Sequence, residues 1–491
     1  MMRLIRLTFA CVFLLASTPA FSSEGDVADV AEWIEEHVPS MMRKARMPGF
    51  AIAIVQDGET IYAQGFGARD LENGLPATPD TLFGIGSITK SFVAIAILQL
   101  AEQGKLDIDD PVSKHIPFEL GQPDAPIRIR HFLTHSPGFP SLATSSILLN
   151  RGLGEDVGVP MASADDFFRF VNGAKDEIEF APAEHFFYNN AAWRMLGAIV
   201  QEVSGVPFHE YVTDNVIRPL GMQRTTFDTD RLFSDSDHLV PYRRTDDGPQ
   251  PTPFPYANPA DNPGFSFLSA AGGIASSVNE MTAYLEMLIG QGAYEGGRLI
   301  DSRTMRAMQS LQMHDPDGYY GADGYGYGLR IVPDFLGEKL VRHGGSIIVS
   351  TAHMAVVPAR RIGVVMMGNS GGMDYAAIAE PVLAILMGHD PDEVIPSIGI
   401  RKRMQRLTGH YATYEDIESV EVIEQRGMLY MKRGETLTPL IPEDPSYRGT
   451  MHYVLDEGLK APVEFRDRSD GSLTMLYGRY AYRKKPGSNG N

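Results

Sequence analysis

The chain has 491 residues, 43% hydrophobic and 21% charged. That is enough for about two to three domains whose cores need no disulfide or metal staple. A formal charge of −19 argues against nucleic acid or an anionic membrane surface as the main partner.

Residues 1–22 read as a secretory signal. Arg3 and Arg6 make a positive start, Leu7 to Ala16 is a short apolar run, and Ala20-Phe21-Ser22 is a small-x-small cleavage site. The apolar run is too short to span a bilayer, so the reading is an exported protein, periplasmic or secreted, with no stable membrane anchor after cleavage. Cleavage removes two positive charges and takes −19 to −21. It also removes Cys11, the only cysteine, which leaves no disulfide, thiol nucleophile or thiolate metal site.

Gly49 to Val55, the turn Asp57-Gly58, and Thr60 to Phe66 form a predicted β-hairpin. Next comes Phe83-Gly84-Ile85-Gly86-Ser87-Ile88-Thr89-Lys90, followed by a run that is apolar on every side to Leu100. A helix starting at Ser87 places Ser87 and Lys90 on one face of its first turn. Two glycines ahead of it allow a sharp turn that leaves the hydroxyl uncovered, and the all-apolar helix belongs in a domain centre. A serine hydroxyl becomes a nucleophile when a base takes its proton, and a neutral lysine amine can do so. An ordinary lysine, with pKa about 10.4, is almost wholly protonated at neutral pH, so burial or a nearby charge must lower Lys90's. The same Ser-x-x-Lys spacing arises by chance, and a serine opening a helix also serves as a plain cap.

Between the hairpin and a second predicted strand pair, Thr351 to Val357 with Arg361 to Met367, lies a mostly helical section. Its predicted helices include Asp165 to Asn172, Asn190 to Val203 and Val278 to Ile289. Leu142 to Pro160 and Asp246 to Pro263 read as irregular surface loops. His131 and His135 stand four apart, a spacing that suits two metal ligands. The glutamate of a zinc-protease motif and a third ligand are missing, so the segment reads as a helix end with local capping. Tyr188 and Asn190, in Phe186-Phe187-Tyr188-Asn189-Asn190-Ala191, sit where a loop opens a helix. A phenol relays protons and an amide grips a substrate amide; a core tyrosine and an N-cap asparagine account for the pair equally well. Val341-Arg342-His343-Gly344-Gly345-Ser346 leads into sheet sequence. Its two glycines permit a substrate to lie along a strand edge and backbone donors to complete an oxyanion hole; a simple bulge is the other reading.

Composition shifts after Gly388. Residues 389–405 read as a polar linker, 406–484 as short strands with turns at Arg426-Gly427 and Asp470-Gly471, and 485–491 as a frayed tail. This pattern predicts a small antiparallel barrel or sandwich.

Taken in order, Ser87-x-x-Lys90, Tyr188-x-Asn190 and His343-Gly344-Gly345 resemble the three motifs of the penicillin-recognising serine hydrolases. The closer resemblance is to the class C β-lactamase-like branch, with its DD-peptidases, D-aminopeptidases and esterases. Leu133-Thr134-His135, Ala271-Gly272-Gly273-Ile274 and Tyr325-Gly326-Tyr327-Gly328-Leu329 match as well, over about residues 28–388. The resemblance implies an α/β fold: a β-lactamase-like antiparallel sheet flanked by helices, with a helical subdomain, to which a small lipocalin-like barrel is appended. It implies that Ser87 forms an acyl-enzyme, that Lys90 and Tyr188 share proton transfer, and that Asn190, His343, Gly344 and Gly345 bind substrate. It implies an oxyanion hole from the N–H groups of Ser87 and Ser346, and neither metal nor cofactor. His343 replaces the lysine of most β-lactamases, which disfavours strong lactamase activity and predicts carboxylate binding that tightens on acidification. Ala183 stands where the family often has glycine. The function so implied is an exported hydrolase of a peptide, amide or ester, with a D-amino acid beside the scissile bond as one form. The alternatives are a carboxylesterase, a weak β-lactamase, and a non-hydrolytic penicillin-binding sensor of cell-wall fragments. The sequence leaves the oligomeric state open.

Overall fold

The computed structural model describes residues 23–486 other than 156, 316–322, 426, 445–446, 448–449 and 455–458. The predicted signal, Arg426 of the predicted turn and the end of the tail lie outside the described residues.

The central strand Gly49–Gln56 is apolar at nearly every position because it is covered on both faces. Ala51, Ala53 and Val55 enter the core shared with the Ser-Lys helix Thr89–Glu102. Phe50, Ile52 and Ile54 enter a second core against the helices Ser23–Ala45 and Ala376–Leu386. The strand pairs on one side with Glu59–Asp70, as the hairpin predicts, and on the other with Ile362–Gly368. From there the sheet runs through Thr351–Val357, Glu338–Ser346 and Arg330–Phe335, all antiparallel. Nine strands make up this sheet among the described residues. Sequence remote from the hairpin therefore supplies the strand Glu338–Ser346, which carries the His-Gly-Gly segment.

The helical section packs on the first face. Helices Ala164–Asn172, Asn190–Ser204 and Val278–Ile289 share one core with Thr89–Glu102, in which every residue from Thr89 to Leu98 is buried.

Two segments differ from expectation. Within Leu142 to Pro160 lies a helix, Thr144–Gly152, held from outside by bonds to Arg194. The expected linker is two helices, Pro391–Val394 and Pro396–Leu407, each with proline in the first turn, where its missing N–H costs nothing. Ile400, Met404 and Leu407, spaced four and three apart, pack into the core of the C-terminal domain. That domain is a closed barrel of eight antiparallel strands from Gly409–Ala412 to Tyr480–Lys484, the last pairing back on the first. Tyr411, Val422, Met431, Met475 and Tyr482 are among the side chains that fill it.

Candidate active site

Ser87 lies in a single 3-10 turn, Gly86–Ile88, that leads directly into the helix Thr89–Glu102. Gly86 has φ +53°, and a Cβ there would stand 2.5 Å from the Ser346 nitrogen. A Cβ on Gly345 would stand 1.9 Å from the Ile85 carbonyl oxygen and 2.9 Å from the Ser87 nitrogen. The serine turn and the strand edge thus touch backbone to backbone, which only glycine permits. The contact sets the Ser346 nitrogen against Gly86 and the Ser87 nitrogen against Gly345.

Lys90 is fully buried. Its Nζ is 2.9 Å from Ser87 Oγ and donates to the Ala271 carbonyl at 2.7 Å. Burial first, and then the charge of Arg194, hold its pKa well below the usual lysine range. An amine kept neutral and bonded to Ala271 has its lone pair free for the serine proton.

Tyr188 faces the same point. Its ring centre lies 5.0 Å from Lys90 Nζ, and the Ser87 hydroxyl is close enough to act on its phenol. Burial pushes its pKa up to about 12, so it remains a phenol. His135, from the Leu133-Thr134-His135 segment, stacks on Tyr188 at 4.2 Å and accepts the Asn189 N–H at Nδ1, 2.7 Å. His131 accepts the Arg128 N–H and Thr134 caps the Arg130 carbonyl, so this segment is a helix end with local capping. The cap of Asn190–Ser204 is Asn189, whose Oδ1 accepts the Ala192 N–H at 3.0 Å. Asn190 is the first helical residue, and its side chain is not used as the cap.

His343 departs from expectation. It is 1% exposed, its Nδ1 donates to its neighbour's Gly344 carbonyl at 2.6 Å, and its Nε2 accepts the Tyr325 hydroxyl at 2.7 Å. Both nitrogens are satisfied in the neutral form, and burial first, with the charge of Arg330, keeps its pKa well below 6.5. It is not a titrating carboxylate anchor. A cleft of about 520 Å³ opens beside it, lined by Tyr188, Arg330, Gly345, Ser346 and His353. Arg330 pairs with Asp315 and stands 5.9 Å from the Tyr188 ring centre. The structure thus brings Ser87, Lys90, Tyr188, His343, Gly344, Gly345 and Ser346 to one place.

Sequence reasoning passed over Arg194, Tyr256 and Arg330. For Arg194 there was a signal: a lone charge in the apolar stretch Ala191 to Val200.

An antiparallel sheet with a helical section, and a serine and lysine at hydrogen-bond distance where a tight turn enters the buried helix between them, define a β-lactamase-like serine hydrolase fold. Residues 34–386 match the family model described as Beta-lactamase, and the chain belongs to that family. Residues 391–483 match the model described as Pab87 octamerisation domain. Among solved structures, the chain is similar to the octameric penicillin-binding protein homologue from Pyrococcus abyssi. That match has 33% identity and TM-score 0.82, and covers 92% of this chain and 100% of that one. A β-lactamase/D-alanine carboxypeptidase from Yersinia pestis, at 18% identity and TM-score 0.58, shares the fold over 74% of this chain and 100% of that one. Curated relatives include Protein flp of Staphylococcus aureus strain MW2, 33% identical over 215 residues, which is 43% of this chain and 41% of that protein. Esterase EstB of Burkholderia gladioli is 30% identical over 209 residues, 41% of this chain and 53% of that protein. The chain spans about two fifths of the length of the first curated relatives it matches.

Proposed function

We propose that the protein is an exported serine hydrolase that forms an acyl-enzyme at Ser87 and cleaves a peptide, amide or ester. The observation that carries this reading is the 2.9 Å contact between Ser87 Oγ and the amine of a fully buried Lys90. Ser87 Oγ attacks the carbonyl carbon as its proton passes to Lys90. The negative oxygen that forms is held by the N–H groups of Ser87 and Ser346. The phenol of Tyr188, in reach of Ser87, hands the proton on to the leaving amine or alcohol. Water then attacks the ester of Ser87 by the same route reversed, releasing the acid and restoring the serine hydroxyl. Asn190, at the mouth of its helix, orients the substrate amide.

A peptide with a D-amino acid beside the scissile bond is the first substrate class to test, in keeping with the penicillin-binding protein homologue and the D-alanine carboxypeptidase named among the similar structures. The second reading is a carboxylesterase. It is favoured by the neutral, buried His343, which puts no cation where most β-lactamases carry lysine, and by the similarity to Esterase EstB. The match of residues 391–483 supports assembly of several copies of this chain through the barrel, which light scattering on the purified protein reads directly. Turnover of a panel of D-amino-acid peptides and simple esters, with Ser87→Ala as control, tests the reading and separates its two forms. Steady hydrolysis that Ser87→Ala abolishes supports it. Binding of every compound without turnover would make the protein a sensor.

A further inference from the structure

His353 lines the catalytic cleft together with Tyr188, Gly344, Gly345 and Ser346, and it is 9% exposed. Its Nε2 is enclosed without a partner, and neither ring nitrogen is hydrogen-bonded among the described residues. The ring is neutral, because burial first, and then the Arg342 charge, lower its pKa to about 3. A neutral imidazole carries one N–H. Orphaned N–H groups are rarer in protein interiors than orphaned acceptors, so the proton belongs on Nδ1, and the enclosed Nε2 keeps the lone pair.

The sheet decides where that N–H stands. His353 is directly opposite Gly344 across the pair Glu338–Ser346 and Thr351–Val357, so the two residues share a face. Nδ1 is the atom nearest the place that a Gly344 Cβ would take, 3.7 Å away. Gly344 has no side chain to cover the ring. The next residue, Gly345, turns to the other face, where its Cβ would meet Ile85 and Ser87. One strand edge is thus bare on both faces, with Ser87 on one and His353 on the other. Pairing of this edge with Arg330–Phe335 ends at Arg330 opposite Arg342, and no strand lies beside Gly344 to Ser346 on that side among the described residues.

An extended peptide laid on the edge sends successive side chains to alternate faces. The residue level with Gly344 therefore points to the His353 face. A neighbouring strand lies about 4.8 Å off, and a side chain of glutamine length spans the bare Gly344 to reach Nδ1. The other polar groups on that face are engaged. Thr351 donates to the Ser370 carbonyl at 2.6 Å and meets the Tyr375 hydroxyl at 2.9 Å, and Asp374 accepts the Ala377 N–H at 3.3 Å. The Asp374 carboxylate, in the same cleft, disfavours an anion there. We propose that His353 is a specificity-determining residue whose Nδ1–H binds a neutral oxygen, such as that of a carboxamide, on a substrate side chain beside the scissile bond. This deepens the reading of Ser87 as the nucleophile of a peptide hydrolase and rests on it.

The test is protection of the full-length chain from fluorophosphonate labelling by blocked tri-D-alanine amides. Each position in turn carries glutamine or methionine, which match in length and differ in the oxygen. At one position glutamine should protect about three- to tenfold better than methionine in the parent, the worth of a neutral hydrogen bond. His353→Leu should erase that preference. His353→Asn, which carries an N–H on the same Cγ, should keep part of it. Gly344→Ala should also erase it, since its Cβ fits at ordinary contact, 3.7 Å from Nδ1 and 3.9 Å from the Ala352 carbonyl oxygen, and fills the path to the ring. A role for His353 in packing alone predicts no dependence on the peptide's oxygen. The proposal is overturned by a parent without the preference, by a labelled parent that no peptide protects, or by a preference that survives in Gly344→Ala, a result that stands even if His353→Leu does not fold. Failure of the underlying reading looks different: the fluorophosphonate would then not label Ser87 at all.

Discussion

Gly345→Ala should nearly abolish activity while leaving most of the fold in place. The new Cβ would stand 1.9 Å from the Ile85 carbonyl oxygen and 2.9 Å from the Ser87 nitrogen. Carbon and carbonyl oxygen rest at about 3.3 Å or more, so the strand and the serine turn must part by about 1.4 Å. Both neighbours are backbone, one in a nine-stranded sheet and one heading a buried helix, so no flexible side chain absorbs the strain. Overpacking of this kind costs about 1–3 kcal/mol of stability. The larger effect falls on the rate, because the N–H groups of Ser87 and Ser346 no longer converge. Losing one oxyanion donor costs about 10²–10³ in kcat, and a misplacement of about 1 Å costs about 10²-fold. The assay is kcat/KM on an activated ester alongside a thermal melt. A folded Gly345→Ala with activity within about threefold of the parent would refute the placement of the oxyanion hole between the two backbones.

Lys90→Arg cannot release its proton and should lower the acylation rate by about 10³-fold in single-turnover labelling; a variant near parental rate removes Lys90 from the chemistry. His343→Gln should leave the pH dependence of carboxylate-inhibitor affinity unchanged, since His343 stays neutral in the fold. A tightening on acidification that the glutamine abolishes would restore a titrating anchor. His353 is buried with its pKa lowered to about 3, first by desolvation and then by the Arg342 charge, whereas in the unfolded chain it protonates near pH 6.5. Its contribution to stability is therefore complete above about pH 6.5 and is lost as pH falls from there toward about 3. His353→Gln should flatten that part of a melting-temperature profile, and an unaltered slope would show that the ring does not resist protonation.

The chemistry was most legible where residue types are constrained by local geometry. Ser87 and Lys90 sit on one turn, and Tyr188 and Asn190 flank a helix start; spacing made each pair a candidate, and the order of the three motifs along the chain, with the family resemblance it carries, singled them out. The alternation in the last eighty or so residues revealed short strands, though not that eight of them close into a barrel, which depends on Tyr480–Lys484 pairing back on Gly409–Ala412. What stayed hidden depends on partners far along the chain. Thr144–Gly152 has no strong apolar period, and its helix is held by an arginine fifty residues on. The proline at the start of Pro396–Leu407 disguised a helix as a linker, though Ile400, Met404 and Leu407 already carried its period. His343 looks like a surface switch in sequence; the Tyr325 hydroxyl and the covering of its strand make it a neutral buried ring.

The central claim is that Ser87 is the nucleophile, and intact mass spectrometry after exposure to a fluorophosphonate tests it most directly. The account predicts one adduct per chain, mapped by peptide digestion to Ser87 and absent from a folded Ser87→Ala. A folded parent that takes up no adduct, or a Ser87→Ala protein that labels as the parent does, would contradict it.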